Sequence, residues 1–473
     1  MSRTVLVLLV ATGLLAGAPK PRQISRERQI GHALSRLTWG PRPGDAAQVK
    51  KQGLKKWIEA QLSPGRIEES PELTARLEKL TALKLTTAEG FDLFRGRKQD
   101  AIRPVVQQTI EAKVLRAVYS SRQLEDVLAD FWFNHFNVFI QKGQDRVYVA
   151  SYERDAIRPF VLGRFRDLLG AAAAHPAMLF YLDNWQSMGE DSLLTRLAGR
   201  RGQKGPARGL NENYGRELLE LHTLGVDGGY TQRDVTDAAR CFTGWTIRQG
   251  KFFFAPGMHD TGEKVVLGVK IPAGGGIEDG EKVLDIVAAH PSTAKHVARR
   301  LAQRFVADDP PPALVDTMAA TFTRSGGDLR ELMRAMLKSK EFWAEDVYRA
   351  KMKSPFELVV SAARAGQVEL TNPLALAVGA ERLGQPLYRK MEPTGYSNHS
   401  EEWQNTASML GRMNLAAALA QNRVPGLQLS WPAKAETLLA HDPSPPLRKA
   451  LAEAATPEAA VAAVLGSPDF QRR

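Results

Sequence analysis
The chain has 473 residues, 43% hydrophobic and 25% charged, the balance of a globular protein with a large core rather than of a disordered or fibrous one. Its formal net charge of +12 favours an anionic partner surface such as cell-wall polymer, acidic polysaccharide, lipid headgroup or nucleic acid, against the plainer reading of a basic surface with dispersed charge. Cys241 is the one cysteine, which excludes an intramolecular disulfide, a cysteine-built zinc cluster and a lipid anchor at an N-terminal cysteine.

In chain order, Arg3 precedes an apolar run from Val5 to Leu15, and Ala16-Gly17-Ala18 supplies a small-x-small cleavage pattern. Residues 1–18 therefore read as a signal peptide, with a retained anchor as the alternative. The run is short for a membrane span, and no later run approaches 18 apolar residues. A periplasmic or secreted protein without a transmembrane segment in its mature chain is expected. Residues 24–420 are expected to form a main helical domain with a β-hairpin insertion, and residues 421–473 a C-terminal helical segment packed on it.

A first helix is expected from Ser25 to Leu37, stopped by Pro41 and Pro43; a second from Asp45 breaks at Gly53; a third breaks at Pro64-Gly65. Residues 70–95 and 100–120 are amphipathic. Leu124–Ile140 is an aromatic, buried segment, and Pro176 begins or kinks a helix behind His175. Met188–Gly209 reads as an exposed loop. Asn211 caps a helix with Tyr214, Leu218 and Leu221 on one stripe, and Gly225 suits its left-handed stop. Thr231 and Asp234 then open a second helix, so residues 209–245 form a helical hairpin. Phe252–Phe254 and Val265–Leu267 read as strands joined by a turn through His259-Asp260. Helices resume to the C-terminus, Ser292 capping one of them. The fold class is mainly α: a multi-helix globular bundle with one small β-hairpin at about residues 246–271.

The hairpin concentrates the polar chemistry. Glu212, Arg216 and Glu220 stand at i, i+4 and i+8, so one arginine can bridge two carboxylates in a structural ladder. His135, flanked by Asn134 and Asn137 in an apolar run, needs a partner because burying it unpaired is costly. Glu217 or Glu212 could supply it, either as a satisfied core pair or as an acid–base or metal-binding couple. The catalytic candidates are His135, Glu212, Glu217 and His222, with His135 and Glu217 as candidates for a divalent metal. The ligand-binding candidates are Asn134, Asn211, Asn213, Arg216, His259 and Asp260, the last two on a solvated turn that could close over a cleft. His-Glu-x-x-His, nucleophile-elbow, phosphate-loop and haem-attachment motifs are absent. No haem, nucleotide or flavin is expected, and no nucleic-acid partner is expected for an exported chain without a basic-aromatic stripe.

His32-Ala-Leu-Ser-Arg-Leu-Thr-Trp-Gly-Pro, Phe131-Trp-Phe-Asn-His-Phe-Asn, His175-Pro-Ala-Met-Leu and the segment Asn211–Gly225 resemble, in order, motifs of the bacterial "domain of unknown function 1800" family. Thr231-Gln-Arg-Asp-Val, Phe242-Thr-Gly-Trp, His259-Asp-Thr-Gly-Glu-Lys, Gly395-Tyr through Trp403-Gln-Asn and the terminal Ser467–Arg473 extend the resemblance over nearly all of the mature chain. It implies an exported helical protein encoded beside a sulfatase-like partner. The expected function is envelope-associated, acting with that partner, the hairpin holding the core or binding an anionic polysaccharide or cell-wall polymer. The alternative is a hydrolase or other polymer-modifying enzyme with a His/Glu site, with or without a metal.

Overall fold
Helix boundaries fall where side chains replace the missing backbone partners of a helix end. In the computed structural model, which describes residues 22–96, 99–190, 192–200 and 209–473, Ser25 caps Arg26–Leu37 and accepts from the Arg28 N–H. Ser354 and Glu357 form a reciprocal capping box on Pro355–Ala365, as Thr231 and Asp234 do on Gln232–Cys241. Gly53, at φ +89°, separates Asp45–Gln52 from Leu54–Gln61. The expected signal peptide, residues 1–18, lies outside the described residues, as do residues 201–208 of the expected basic loop. The part of that loop from Leu193 to Arg200 is helical instead, because Ser192 accepts from the Thr195 N–H and starts a turn.

The fold is mainly α. Gln99–Tyr119 and Gln123–His135 pass through one hydrophobic cluster that extends from Ala33 to Phe470. Thr406–Ala420 packs along Pro457–Gly466, and Pro291–Phe305 along Pro312–Arg324. Among the described residues, no helix is long and apolar enough to cross a membrane.

The expected single β-hairpin is corrected to two. Phe252–Phe254 does not pair with Val265–Leu267. Trp245–Arg248 pairs antiparallel with Lys251–Phe254, and Lys264–Val266 with Val269–Ile271. The reason is local: Gln249 and Gly250 have φ of +51° and +72°, and Leu267 and Gly268 have +51° and +77°. Paired positive φ values make two-residue turns whose twist suits a hairpin, and short loops cost the least closure entropy. A third pair, Glu369–Leu370 with Leu427–Gln428, ties distant parts of the chain together.

Candidate functional site
The expected helical hairpin is present, with an altered middle. Asn211 caps Glu212–Glu217, accepting from the Asn213 N–H at 2.9 Å and donating to the Leu182 carbonyl at 2.7 Å. Gly215 faces the second helix so closely that a Cβ would lie 2.8 Å from the Val235 carbonyl oxygen. Beyond Glu217 the helix widens to a π-turn over Leu218–Thr223, where the Leu224 N–H reaches back to the Leu219 carbonyl at 2.8 Å. The expected Glu212–Arg216–Glu220 ladder is half formed. Arg216 lies 3.6 Å from Glu212, while Glu220 accepts from the Tyr230 hydroxyl at 3.1 Å. Glu212 also accepts from Gln232 and Thr236, so it serves the hairpin's own joint. Asn213 is exposed.

Imidazoles from three distant segments do converge here. The His135 ring centroid is 6.3 Å from that of His222 and 5.9 Å from that of His296. Their partners are main chain rather than carboxylate. His135 Nε2 meets the His222 carbonyl at 3.0 Å, and His296 Nε2 the Leu221 carbonyl at 3.2 Å. Carbonyls at the end of a helix lack intrahelical donors, and two ring N–H groups satisfy them. The expected pairing of His135 with Glu217 or Glu212 is therefore replaced by a cap on the π-turn. Burial lowers His222 to about 3 and His296 to about 4, with Arg300 adding to the fall at His296, and burial with Arg300 holds His135 well below the usual imidazole range. Glu217 is half-buried, its carboxyl pushed up by burial and by Glu220. Among the described residues, no group of three or more His, Cys, Asp or Glu side chains is placed to hold a metal ion.

The expected solvated turn at His259-Asp260 is corrected: both are buried, at 1% and 2% exposure. His259 Nδ1 lies 2.8 Å from the Thr243 carbonyl and Nε2 3.2 Å from Asp279, which also binds Lys264 at 2.6 Å. Asp260 takes a forked pair from Arg240, at 2.9 and 3.2 Å. Asp234 and Asp237 accept from the Leu267 and Val265 N–H groups and fasten the strand to the helix. His290, not Ser292, caps Pro291–Phe305, and His175 caps Pro176–Tyr181.

A charged opening lies elsewhere. A narrow cleft of about 60 Å³ is walled by Gln99–Tyr119, Gln123–His135, the start of Pro355–Ala365 and the loop around Tyr396. Lys113 pairs with Asp130 at 2.6 Å and lies 4.8 Å over the Tyr388 ring. Opposite, Glu357 pairs with Arg304 at 2.6 Å and Arg473 at 3.1 Å. Behind the cleft, Tyr388 donates to Glu153. Burial opposes ionisation of Glu153, but Arg158, Lys113 and Arg116 hold its carboxyl down at about 2. Asn134 secures the loop, donating to the Tyr396 carbonyl at 2.8 Å and accepting from the Tyr396 N–H at 2.7 Å. Gly395 has φ +68°, and a Cβ there would collide with the Asn134 carbonyl oxygen. Asn137 donates to the Lys390 and Glu392 carbonyls at 2.9 Å each.

Of the sequence-derived candidates, Asn134 alone lines this cleft; Asn211, Asn213, Arg216, His259 and Asp260 belong to the hairpin and its strands. Lys113, Asp130, Glu357 and Arg473 escaped sequence reasoning, while Arg304, which with Lys295, Arg299 and Arg300 reads in sequence as a solvated basic face able to attract an anion, is buried in the cleft. The available signals were a lysine within Ala112–Val114, an aspartate inside the aromatic run and the Ser354–Glu357 capping box. No curated protein and no solved structure matches the chain. A family model described as protein of unknown function (DUF1800) matches residues 32–472. With nearly its whole length covered and the expected motifs in order, the chain belongs to the DUF1800 family.

Proposed function
We propose that the protein is an exported, envelope-associated binding protein that takes an anionic group of a polysaccharide or cell-wall polymer into the cleft between Lys113 and Arg473. The observation that carries this reading is the convergence of Lys113, Arg304 and Arg473 on one opening, each at most 6% exposed. Charges so shielded from water act through a weakly screened medium. Against these three cations the cleft sets two carboxylates, Asp130 and Glu357, which leaves one positive charge for an anionic substituent. The carboxylates and Gln385 suit sugar hydroxyls, and the Tyr396 and Trp403 rings, 6.0 Å apart, offer apolar surface. An interior of about 60 Å³ admits the substituent while the sugar ring stays outside.

Export is supported by Arg3, the Val5–Leu15 run and Ala16-Gly17-Ala18, and action beside a co-encoded sulfatase-like partner by the family resemblance. Calorimetry with a uronic-acid oligosaccharide and its carboxyl-reduced, neutral counterpart tests the reading. The acidic form is expected to bind at least about ten-fold more tightly, and Lys113→Met to remove the difference. Equal affinity for both forms would refute it. The enzyme alternative draws on Glu217, whose raised carboxyl has the direction a general acid needs. Polymer hydrolysis lost in Glu217→Gln would establish it over the binding reading.

A further inference from the structure
A second polar pocket lies between Arg26–Leu37, the segment around Lys353 and the C-terminal residues, with an interior of about 30 Å³. That is room on the order of two or three water molecules, the size range of a small oxyanion. Its walls are unusually cationic for so buried a place. Lys353 is 7% exposed; its ammonium donates to Ser361 Oγ at 3.0 Å and sits 3.9 Å over the Phe470 ring, with no carboxylate partner among the described residues. Arg473 is 4% exposed; its Nε faces Glu357 at 3.1 Å and its Nη2 donates to the Arg304 carbonyl at 3.0 Å, but its Nη1 has no acceptor. Arg349 Nε is likewise buried without an acceptor. The pocket's one carboxylate, Asp469, is already engaged by the Ser444 N–H and hydroxyl and by Arg349.

A buried donor without an acceptor, or a buried charge without a counter-charge, costs more than almost any other polar defect in a folded protein. Three such donors around one cavity are the arrangement that a bound anion would complete. His32 adds a different demand. It is 2% exposed, and its Nε2 meets the Phe342 carbonyl at 2.9 Å, so Nε2 carries the ring proton. Nδ1 is then a bare acceptor, and it too lacks a partner. The ligand that satisfies the pocket presents several acceptor oxygens to cations and one O–H to an imidazole. Hydrogen phosphate and a singly protonated phosphomonoester do so; sulfate and carboxylate lack the O–H.

We propose that the pocket formed by His32, Arg349, Lys353 and Arg473 is a phosphate-binding site that borders the Lys113 cleft at Arg473 but takes its ligand on Lys353 and His32, which the cleft lacks. Burial lowers Lys353 to about 7, against the pull of Glu357 and with Arg349 and Arg412 adding to the fall, so an anion here would favour its charged form.

The test is thermal unfolding of the full chain at constant ionic strength with inorganic phosphate, glycerol phosphate, sulfate or chloride. Phosphate is expected to raise the melting temperature saturably by about 3 °C or more. Lys353→Met should abolish the rise, and Lys113→Met should keep it, which separates this site from the cleft. A larger rise with glycerol phosphate would mark the natural ligand as a phosphoryl group carried on a larger molecule; an equal or smaller one would mark free phosphate. A rise that matches in sulfate, or persists in Lys353→Met, would overturn the proposal. Should Lys353→Met fail to fold, anomalous scattering from arsenate in wild-type crystals decides: a peak between Lys353 and His32 supports the site, and none there overturns it.

Discussion

Acid should unfold this protein steeply, because five imidazoles are held neutral inside it. His32, His175 and His222 are lowered by burial to about 3, with Arg36 adding at His32; His296 is lowered to about 4, and His135 well below the usual range. A histidine whose folded value lies below its unfolded value takes up its proton only on unfolding. Its contribution is whole above about pH 6.5 and is lost as pH falls toward the folded value. Between about pH 6 and 4 these five groups give at most about 6.8 kcal/mol per pH unit, from about 1.36 kcal/mol per proton. Asp145, whose carboxyl burial pushes well up, and Glu111, Glu125 and Glu217, which burial also pushes up, titrate in the opposite sense and offset part of this slope. Even half of the histidine slope, about 3 kcal/mol per unit, exhausts a stability of about 10 kcal/mol within about three units of pH 6.5. Urea unfolding followed by tryptophan fluorescence at several pH values from 7.5 to 5.0 measures the slope directly. His296→Gln should lower it by about 1.4 kcal/mol per unit. Stability unchanged from pH 7.5 to 5.0 would refute the reasoning.

Three further outcomes are expected. Gly215→Ala puts a Cβ 2.8 Å from the Val235 oxygen and 2.9 Å from the Ala239 nitrogen, so it should cost about 2–4 kcal/mol in denaturant unfolding by forcing the hairpin helices apart. Asn134→Ala removes both contacts to the Tyr396 main chain and should cost about 2–3 kcal/mol while exposing the 391–403 loop to proteolysis. The Cys241 thiol is pushed up to about 12 by burial, so iodoacetamide at pH 8 should label it only after denaturation.

What the sequence disclosed was local. The caps made by Asn211, Thr231 and Asp234 join neighbours within four residues, Gly225 turns the chain at its own φ, and the hairpin they delimit is where they place it. The strand pairing was misjudged because Phe252–Phe254 and Val265–Leu267 are equally apolar, and the deciding Gln249-Gly250 and Leu267-Gly268 turns carry a weaker signal than Asn-Gly. His259 and Asp260 looked solvated because their burial depends on Arg240, Lys264 and Asp279, which only the folded chain brings together. His135 needed a partner, as its apolar surroundings required, but a π-turn supplied free carbonyls that helix periodicity does not announce. The cleft was least legible. Lys113, Arg304 and Glu357 are ordinary helical charges in sequence and become unusual only when buried against one another.

The central claim is that the Lys113 cleft binds an anionic group, and calorimetric titration of the wild type and Lys113→Met with the acidic oligosaccharide and its carboxyl-reduced form tests it most directly. The account predicts preference for the acidic ligand in the wild type, weakened by added salt and absent from Lys113→Met. The same affinity for both ligands, or a preference that survives in Lys113→Met, would contradict it.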